Sequence, residues 1–396
     1  MIRRARWSFV ALAALAAAQA ASGIVIAAPV DPSPLEPSLL EEAFDNIVVI
    51  IEQDHTYDSY FGSYTPPTAG AERARTPTPG LFALADNYVL FDNYFASSSG
   101  GTLGNMLDLM TGSDHDLLNS SKESLTALAA LDAPTVFDRL NDKGVDWRLY
   151  IGDFADVDPD KVLGGQYLAS GVGVPASLYR APILGMRRTW NDESLSSRIV
   201  DQGAFFDDAT SGSLPPVSFV LPSPSDHPAQ GAASGETRLL SLVNAVAKSE
   251  QWSRTAVFVT WDDGGRQFDS ATPPIGGGLR VPLLLVSAHA KAGAVARIQY
   301  DHLSLLATIE HRFGLEPLSG RADPGESLAE AFGPLDVDRA PMVFSRTALP
   351  PTPVGTSAQN AQTLLLYALG FMLTVVLAVT SRSHLRKRAH HADLSS

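Results

Sequence analysis

Residues 47–62 read IVVIIEQDHTYDSYFG. An apolar run stops abruptly, and Glu52, Gln53, Asp54 and His55 follow it. This is the pattern of a buried strand that ends in a polar loop. Such a loop is either simply solvated or part of a site that holds a metal ion or a phosphate.

The rest of the chain alternates between strand and helix patterns. Further strands are predicted at residues 145–151, 217–221, 255–261 and 281–286. Helices are predicted around Val136–Leu140, Leu239–Val246 and His302–Phe313, with Gly144 and Gly314 as C-terminal caps and Asp301 as an N-cap. This alternation predicts an α/β fold, in which helices cover both faces of a mainly parallel sheet. The irregular, Gly-rich segment 154–200 is expected to form an insertion or cap.

Composition limits the possible functions. The 396 residues carry a formal net charge of −14, which argues against a general nucleic-acid binder. The chain has no cysteine, so disulfides and thiolate metal sites are excluded.

Both termini predict export. Arg3, Arg4 and Arg6 precede an apolar stretch, so residues 1–28 are predicted to be a signal peptide. An uncleaved signal anchor is the alternative, because apolar residues resume at 24–28.

Near the other end, residues 363–380 read TLLLYALGFMLTVVLAVT without a charge and predict a transmembrane helix, with a core helix as the alternative. The basic tail, 381–396, places the C-terminus in the cytoplasm. The remaining 29–345 form the predicted extracytoplasmic domain, joined to this single span by a Pro/Thr/Ser-rich stalk, 346–362.

Ligands of open α/β sheets bind beyond the carboxyl ends of the strands. Four predicted strands end in residues that suit a site, and these exits are Glu52–His55, Asp226–His227, Asp262–Asp263 and Ser287–His289. Four such exits at one edge of a sheet would form a shared site.

Asp262 and Asp263 are the sharpest feature of the sequence. Adjacent carboxylates repel each other unless a cation or a proton neutralises them. Carboxylate and amide oxygens suit Mg²⁺, Ca²⁺ or Mn²⁺. If histidines also took part, the site could bind Zn²⁺ or iron. The identity of the divalent metal cation stays open, and an exposed Asp-Asp-Gly-Gly turn is the alternative.

A candidate nucleophile is Thr102, in the sequence SGGTLGN. Leu103, Met106, Leu107 and Met110 follow at helical spacing, which predicts Thr102 at the N-cap. There its hydroxyl would lie beside backbone N–H groups that favour anions. Plain helix capping is the alternative.

Several motifs together resemble the bacterial phosphoesterase family that holds the non-specific phospholipases C and related acid phosphatases. They are IVVIIEQDHTYDSYFG, GGTLGN, LPSPSDHP, WSRTAVFVTWDDGGRQFDSATPP, LRVPLLLVSAHAKAG and YDHLSLLATIEHRFGL, which run from about Asp45 to Asp323. The resemblance implies an alkaline-phosphatase-like three-layer α/β/α sandwich, a divalent metal, and a phosphate ester or phospholipid as substrate.

The resemblance also implies roles for individual residues. Gln53, Asp54, Thr102, Asp262 and Asp263 would hold the metal, and Thr102 would attack phosphorus. Asn105 and Asp226 would bind substrate, and His227 or His302 would protonate the leaving oxygen. The sequence does not choose between the two histidines.

The opening stretch departs from the family pattern, which has Glu-Asn where Gln53-Asp54 stands. The order of amide and carboxylate is exchanged, but the charge and the oxygen donors are preserved. A slip by one residue would instead make Glu52-Gln53 the pair.

Two other functions compete with a metal-dependent phosphoesterase. One is a surface binding protein of the same fold with weakened catalysis, which the Gln53-Asp54 departure keeps open. The other is a sulfatase or nucleotide pyrophosphatase, disfavoured because no cysteine is present and metal-binding histidines are few. His115 is expected on a surface loop and His289 has no assigned role. The sequence does not indicate the oligomeric state.

Overall fold

The computed structural model describes residues 44–64, 66, 78–118, 121–167, 174–223, 232–265, 267–318, 327–335 and 338–345. The predicted signal peptide, stalk, membrane span and basic tail lie outside these ranges, and so do Asp226 and His227. Within the described ranges, no helix is both long and apolar enough to cross a membrane.

The strands are β1 (Asn46–Glu52), β2 (Val89–Phe91), β3 (Tyr94–Phe95), β4 (Trp147–Ile151), β5 (Ile199–Asp201), β6 (Val217–Leu221), β7 (Thr255–Trp261), β8 (Leu283–Ser287), β9 (Ala294–Ala296) and β10 (Tyr300–Asp301). The helices are α1 (Tyr57–Phe61), α2 (Pro79–Asn87), α3 (Gly101–Thr111), α4 (Lys122–Ala130), α5 (Val136–Lys143), α6 (Pro159–Leu163), α7 (Ser177–Arg180), α8 (Arg187–Asn191), α9 (Glu193–Ser196), α10 (Gly203–Thr210), α11 (Ala232–Ala247) and α12 (His302–Phe313).

One large sheet organises the domain. Its strands run in the order β5-β4-β6-β1-β7-β8-β2-β9. The neighbouring strands are parallel except at β7–β8 and β8–β2, so β8 runs against the others. The predicted mainly parallel α/β fold is therefore confirmed.

The centre of the sheet is covered on both faces. Every residue of β1, β6 and β7 is buried, which requires helices above and below the sheet. Helix α12 packs with α3 and α5, whereas α11 packs with α10 and α2. These two groups of helices form the outer layers.

Three predicted helix caps, Asp301, Gly144 and Gly314, are found where the sequence places them. The Asp301 carboxylate accepts the N–H groups of Leu303 and Ser304 at the start of α12. Gly144 and Gly314 close α5 and α12 with φ of 70° and 55°, in the left-handed region that favours glycine.

The irregular segment after β4 contains the short helices α6 to α9. It packs beside α3, where an apolar cluster joins Leu103 and Leu107 to Met186 of this segment and to Leu128 of α4. This contact sets the segment next to the N-terminal end of α3, and that end proves to be part of the candidate site.

Candidate active site

Three carboxylates from two strand exits meet at the carboxyl edge of the sheet. Asp54 follows β1, and Asp262 and Asp263 follow the parallel neighbour β7, with Glu52 paired in register with Trp261. Oxygen atoms of the three carboxylates lie within 4.8 Å of one another. The structure therefore brings together the first and third predicted exits.

Hydrogen bonds between the two loops fix this cluster. Oδ1 of Asp262 accepts the N–H groups of Asp54 at 3.1 Å and of Asp263 at 2.7 Å. Oδ1 of Asp263 accepts the N–H of Gly265 at 2.5 Å. Gly265 has φ of +56°, and a Cβ there would lie 2.9 Å from the carbonyl oxygen of Asp54, so glycine lets the loops touch.

The carboxylates of this cluster repel each other unless a cation or a proton neutralises them. Burial raises the pKa of Asp262 well above its ordinary value, and the neighbouring charge of Asp263 raises it further. The pKa of Asp263 is raised for the same first reason. Oδ2 of Asp262 is buried and receives no hydrogen bond from the described residues. An oxygen-only set with a bare buried carboxylate oxygen fits a hard divalent cation.

The structure also separates Glu52 from Asp54. Glu52 is the last residue of β1 and is buried, with 2% exposure, and its carbonyl accepts the N–H of Asp262 at 2.9 Å. The carboxylate that joins Asp262 and Asp263 belongs to Asp54. This favours the register in which Gln53-Asp54 is the pair over the slip to Glu52-Gln53. Gln53 is half-buried between them, and its role as a ligand stays a prediction.

Thr102 reaches the cluster from the start of α3. Its hydroxyl lies close enough to Asp262 and Asp263 to favour the charged forms of both carboxylates. The predicted N-cap position is wrong, because Gly100 is the N-cap and Thr102 is the second residue of the helix. Gly101, with φ of +65°, makes the turn, and a Cβ there would lie 3.4 Å from Oδ2 of Asp263.

Asn105 supports the loop before α3. It is fully buried, and its side-chain N–H groups donate to the carbonyls of Ser98 at 3.0 Å and Gly101 at 2.9 Å. Its oxygen accepts the N–H of Ser98 at 2.8 Å. Both donors are thus used within the protein, so this arrangement replaces the expected phosphate contact with a positioning role.

His302 positions Asp262 through a hydrogen bond to its backbone carbonyl group. Its Nε2–H donates to the carbonyl oxygen of Asp262 at 2.8 Å, and its Nδ1 accepts from the hydroxyl of Tyr94 at 2.8 Å. The ring is buried, and burial lowers its pKa. Neither ring nitrogen is left for a leaving group, so the expected role as general acid gives way to positioning.

The fourth predicted exit does not join the site. Because β8 is antiparallel to β7, its carboxyl end lies at the opposite edge of the sheet. His289 accordingly donates to the carbonyl of Ser253, just before β7, at 3.0 Å. The half-buried His115 bonds through Nε2 to Thr111 at 2.9 Å.

The sequence did not predict that Arg280 joins the segments that follow the two carboxylate loops. The contacts of Arg280 with Asp58 and Asp269 are called the clamp below. Arg280 donates to Asp58 at 2.8 Å and to Asp269 at 3.0 Å, and its guanidinium stacks over the Tyr57 ring at 4.2 Å. Asp58 follows the Asp54 loop, and Asp269 follows the Asp262–Asp263 loop. The motifs contain all these residues, but no spacing in the sequence pairs them.

A second arginine, Arg180, was also missed. It comes from the irregular segment, is buried with 4% exposure, and donates to carbonyl groups at the ends of β4 and β6. No motif surrounds it in the sequence.

Residues 69–316, more than half of the chain, match the sequence model of the Phosphoesterase family. The chain belongs to the Phosphoesterase family. The match includes the loops that carry Thr102, Asp262 and Asp263. These are three of the four side chains that meet at the candidate site.

Several relatives of this Phosphoesterase family member are similar along much of the chain. Non-specific phospholipase C6 of Arabidopsis thaliana is 23% identical over 60% of this chain and 47% of its own length. Non-hemolytic phospholipase C of Pseudomonas aeruginosa is 28% identical over 60% of this chain and 39% of its own length. The chain thus spans about half the length of these curated relatives, or less. A solved alkaline phosphatase superfamily protein from Vibrio parahaemolyticus shares 12% identity and a TM-score of 0.45, with 76% of this chain and 74% of that chain covered.

Proposed function

We propose that this Phosphoesterase family member is a membrane-tethered, extracytoplasmic, metal-dependent hydrolase of phosphate mono- or diesters, with Thr102 as its nucleophile. The observation that carries the proposal is the meeting of Asp54, Asp262 and Asp263 with the Thr102 hydroxyl at one edge of the sheet. The convergence of these four side chains supports catalysis over a binding protein with weakened activity.

Asp54, Asp262, Asp263 and Thr102 would hold the metal, and Gln53 could add an amide oxygen. When bound, a divalent cation supplies charge that polarises a phosphoryl oxygen and lowers the pKa of a hydroxyl beside it. The cluster itself selects a hard cation by its oxygen donors, without naming one.

The chain's own residues would carry the transfer. The oxygen of Thr102 forms a bond to phosphorus as the ester bond breaks, which leaves a phosphothreonine that water hydrolyses. Free backbone N–H groups in the first turn of α3 would bind the phosphoryl oxygens and stabilise their charge. Asn105 would hold the loop that sets this turn in place.

The leaving oxygen needs a proton donor. His302 has both nitrogens engaged, so His227, beside Asp226, is the better candidate. This assignment rests on the sequence motif Asp226-His227-Pro228, because these residues lie outside the described ranges.

The substrate class follows from the relatives. Two similar proteins are named phospholipases C, so we propose phosphate esters that include phospholipids. The predicted signal peptide and C-terminal span support a catalytic domain that faces away from the cytoplasm. Added protease should remove that domain from intact spheroplasts, while a cytoplasmic control protein stays protected.

Hydrolysis assays test the proposal directly. The full chain, solubilised in detergent, would be given an aryl phosphomonoester and a choline phospholipid, with and without chelator. We expect hydrolysis of at least one substrate, its loss with chelator, and its return when a divalent cation is added back. No hydrolysis of either substrate with any divalent cation would contradict the proposal.

A further inference from the structure

The guanidinium of Arg180 bridges two strand ends at the carboxyl edge of the sheet. Nη2 donates to the carbonyl of Gly152, just after β4, at 2.9 Å, and Nη1 donates to the carbonyl of Pro222, just after β6. Nε is also buried, and no described residue accepts a hydrogen bond from it. A buried cation with an unused donor is costly.

The position of Arg180 brings this charge close to the candidate site. Strand β6 pairs with β1 so that Val220 stands opposite Ile50, which sets Pro222 level with Glu52. The charge of Arg180 interacts with Asp153, Asp262 and Glu52, although burial lowers its pKa. The guanidinium therefore stands on the β6 side of the carboxylate cluster.

The candidate site needs such a positive charge when it meets a phosphate ester. The carboxylates of Asp54, Asp262 and Asp263, when ionised, carry one more negative charge than a divalent cation neutralises. An anionic phosphoryl group would approach a site that is still negative. A fixed cation at the strand ends reduces that repulsion.

We propose that Arg180 is a positioning residue whose positive charge makes the potential of the site less negative. This change strengthens the binding of the phosphoryl group and weakens the binding of the metal cation. This inference rests on the proposed function. Loss of the charge should weaken the binding of phosphate and strengthen the binding of the metal cation. A residue that only held the fold would weaken both.

The test compares two substitutions of Arg180 with a matched control. Arg180→Gln keeps hydrogen-bond donors but removes the charge, whereas Arg180→Lys keeps the charge. Arg188→Gln is the control, because Arg188 comes from the same segment but pairs with Asp138 on α5 at 2.8 Å. Calorimetry with Mn²⁺ alone measures cation affinity, and competitive inhibition by inorganic phosphate measures anion affinity.

For Arg180→Gln we expect phosphate affinity to fall on the order of tenfold, as for one charge acting across roughly 10 Å of protein, the width of two strand spacings, while Mn²⁺ binds as tightly as in the wild type or more tightly. Arg180→Lys and Arg188→Gln should keep both affinities within about threefold of the wild type, a difference too small for the loss of a buried charge.

Two outcomes overturn the inference. One is a folded Arg180→Gln protein with weaker Mn²⁺ binding or unchanged phosphate affinity. The other is a folded Arg180→Lys protein that has lost phosphate affinity, which decides the matter if Arg180→Gln does not fold. A wild-type protein that neither binds Mn²⁺ nor hydrolyses phosphate esters would instead contradict the proposed function, on which this inference depends.

Discussion

The backbone N–H of Asp54 donates a 3.1 Å hydrogen bond to Oδ1 of Asp262, 208 positions further along the chain. One carboxylate oxygen of Asp262 thus positions the loop that carries Asp54, while its other oxygen is buried and accepts no hydrogen bond from any residue that the structure describes. Asp262 therefore holds the two loops together and, in the proposed metal site, is the best placed ligand.

Asp262→Asn and Asp263→Asn should each lower kcat/KM on the order of 100-fold or more, about 2.7 kcal/mol of transition-state stabilisation. Each change removes one charged ligand, and the remaining amide oxygen can still accept the hydrogen bonds that hold the loops. Asp160→Asn, at an exposed position of α6, is the control and should have no effect. Wild-type turnover in both site variants would show that the two residues form only a turn.

The stability of the metal-free protein should fall as pH rises above about 4, the ordinary aspartate value. The folded-state pKa of Asp262 is raised above its unfolded value by burial, so its contribution is present below that unfolded value and is lost as pH rises through the folded one. Denaturant unfolding at several pH values in chelator measures this slope. Asp262→Asn should reduce it, and an unchanged slope would contradict the raised pKa.

Arg280→Met should lower the free energy of unfolding by about 3 kcal/mol, because it leaves the buried carboxylate of Asp269 without its partner. It should also weaken Mn²⁺ binding, since the clamp joins the segments that follow both carboxylate loops. Arg297→Met is the matched control, because Arg297 is largely exposed and its 3.0 Å pair with Asp92 should contribute less than about 1 kcal/mol. Equal losses in the two variants would argue against the clamp.

The exchanged order of Gln53-Asp54 can be tested by restoring the family order. Asp54→Asn alone removes the only negative charge of the pair and should lower kcat/KM on the order of 100-fold. The double change Gln53→Glu with Asp54→Asn returns that charge one position earlier and should retain activity. If the double variant is as inactive as Asp54→Asn, the two positions are not interchangeable ligands.

The sequence predicts the five longest strands and the caps of α5 and α12 because their signals are local. An apolar run followed by carboxylates marks the ends of β1 and β7, and glycines after α5 and α12 mark helix ends. Strand direction has no such local signal. The run at 281–286 looks like the others, yet β8 is antiparallel, which takes His289 away from the site.

The site residues also divide into those with a local sequence signal and those without one. Asp54, Asp262, Asp263 and Thr102 could be found from motifs, because each stands at an element end. The roles of Asn105 and His302 could not, because they depend on which backbone groups the folded chain brings to each side chain. Arg180 gave no signal, since its partners are carbonyl groups that every residue possesses.

Calorimetric titration of the metal-free protein with Mn²⁺ tests the central claim most directly, when the wild type is compared with Asp54→Asn and Glu52→Gln. The structure predicts one bound cation, an affinity that drops on the order of 100-fold in Asp54→Asn, and a change below about threefold in Glu52→Gln, because only Asp54 shares the carboxylate cluster. A Glu52→Gln variant that loses the cation while Asp54→Asn keeps it would contradict the site described by this structure.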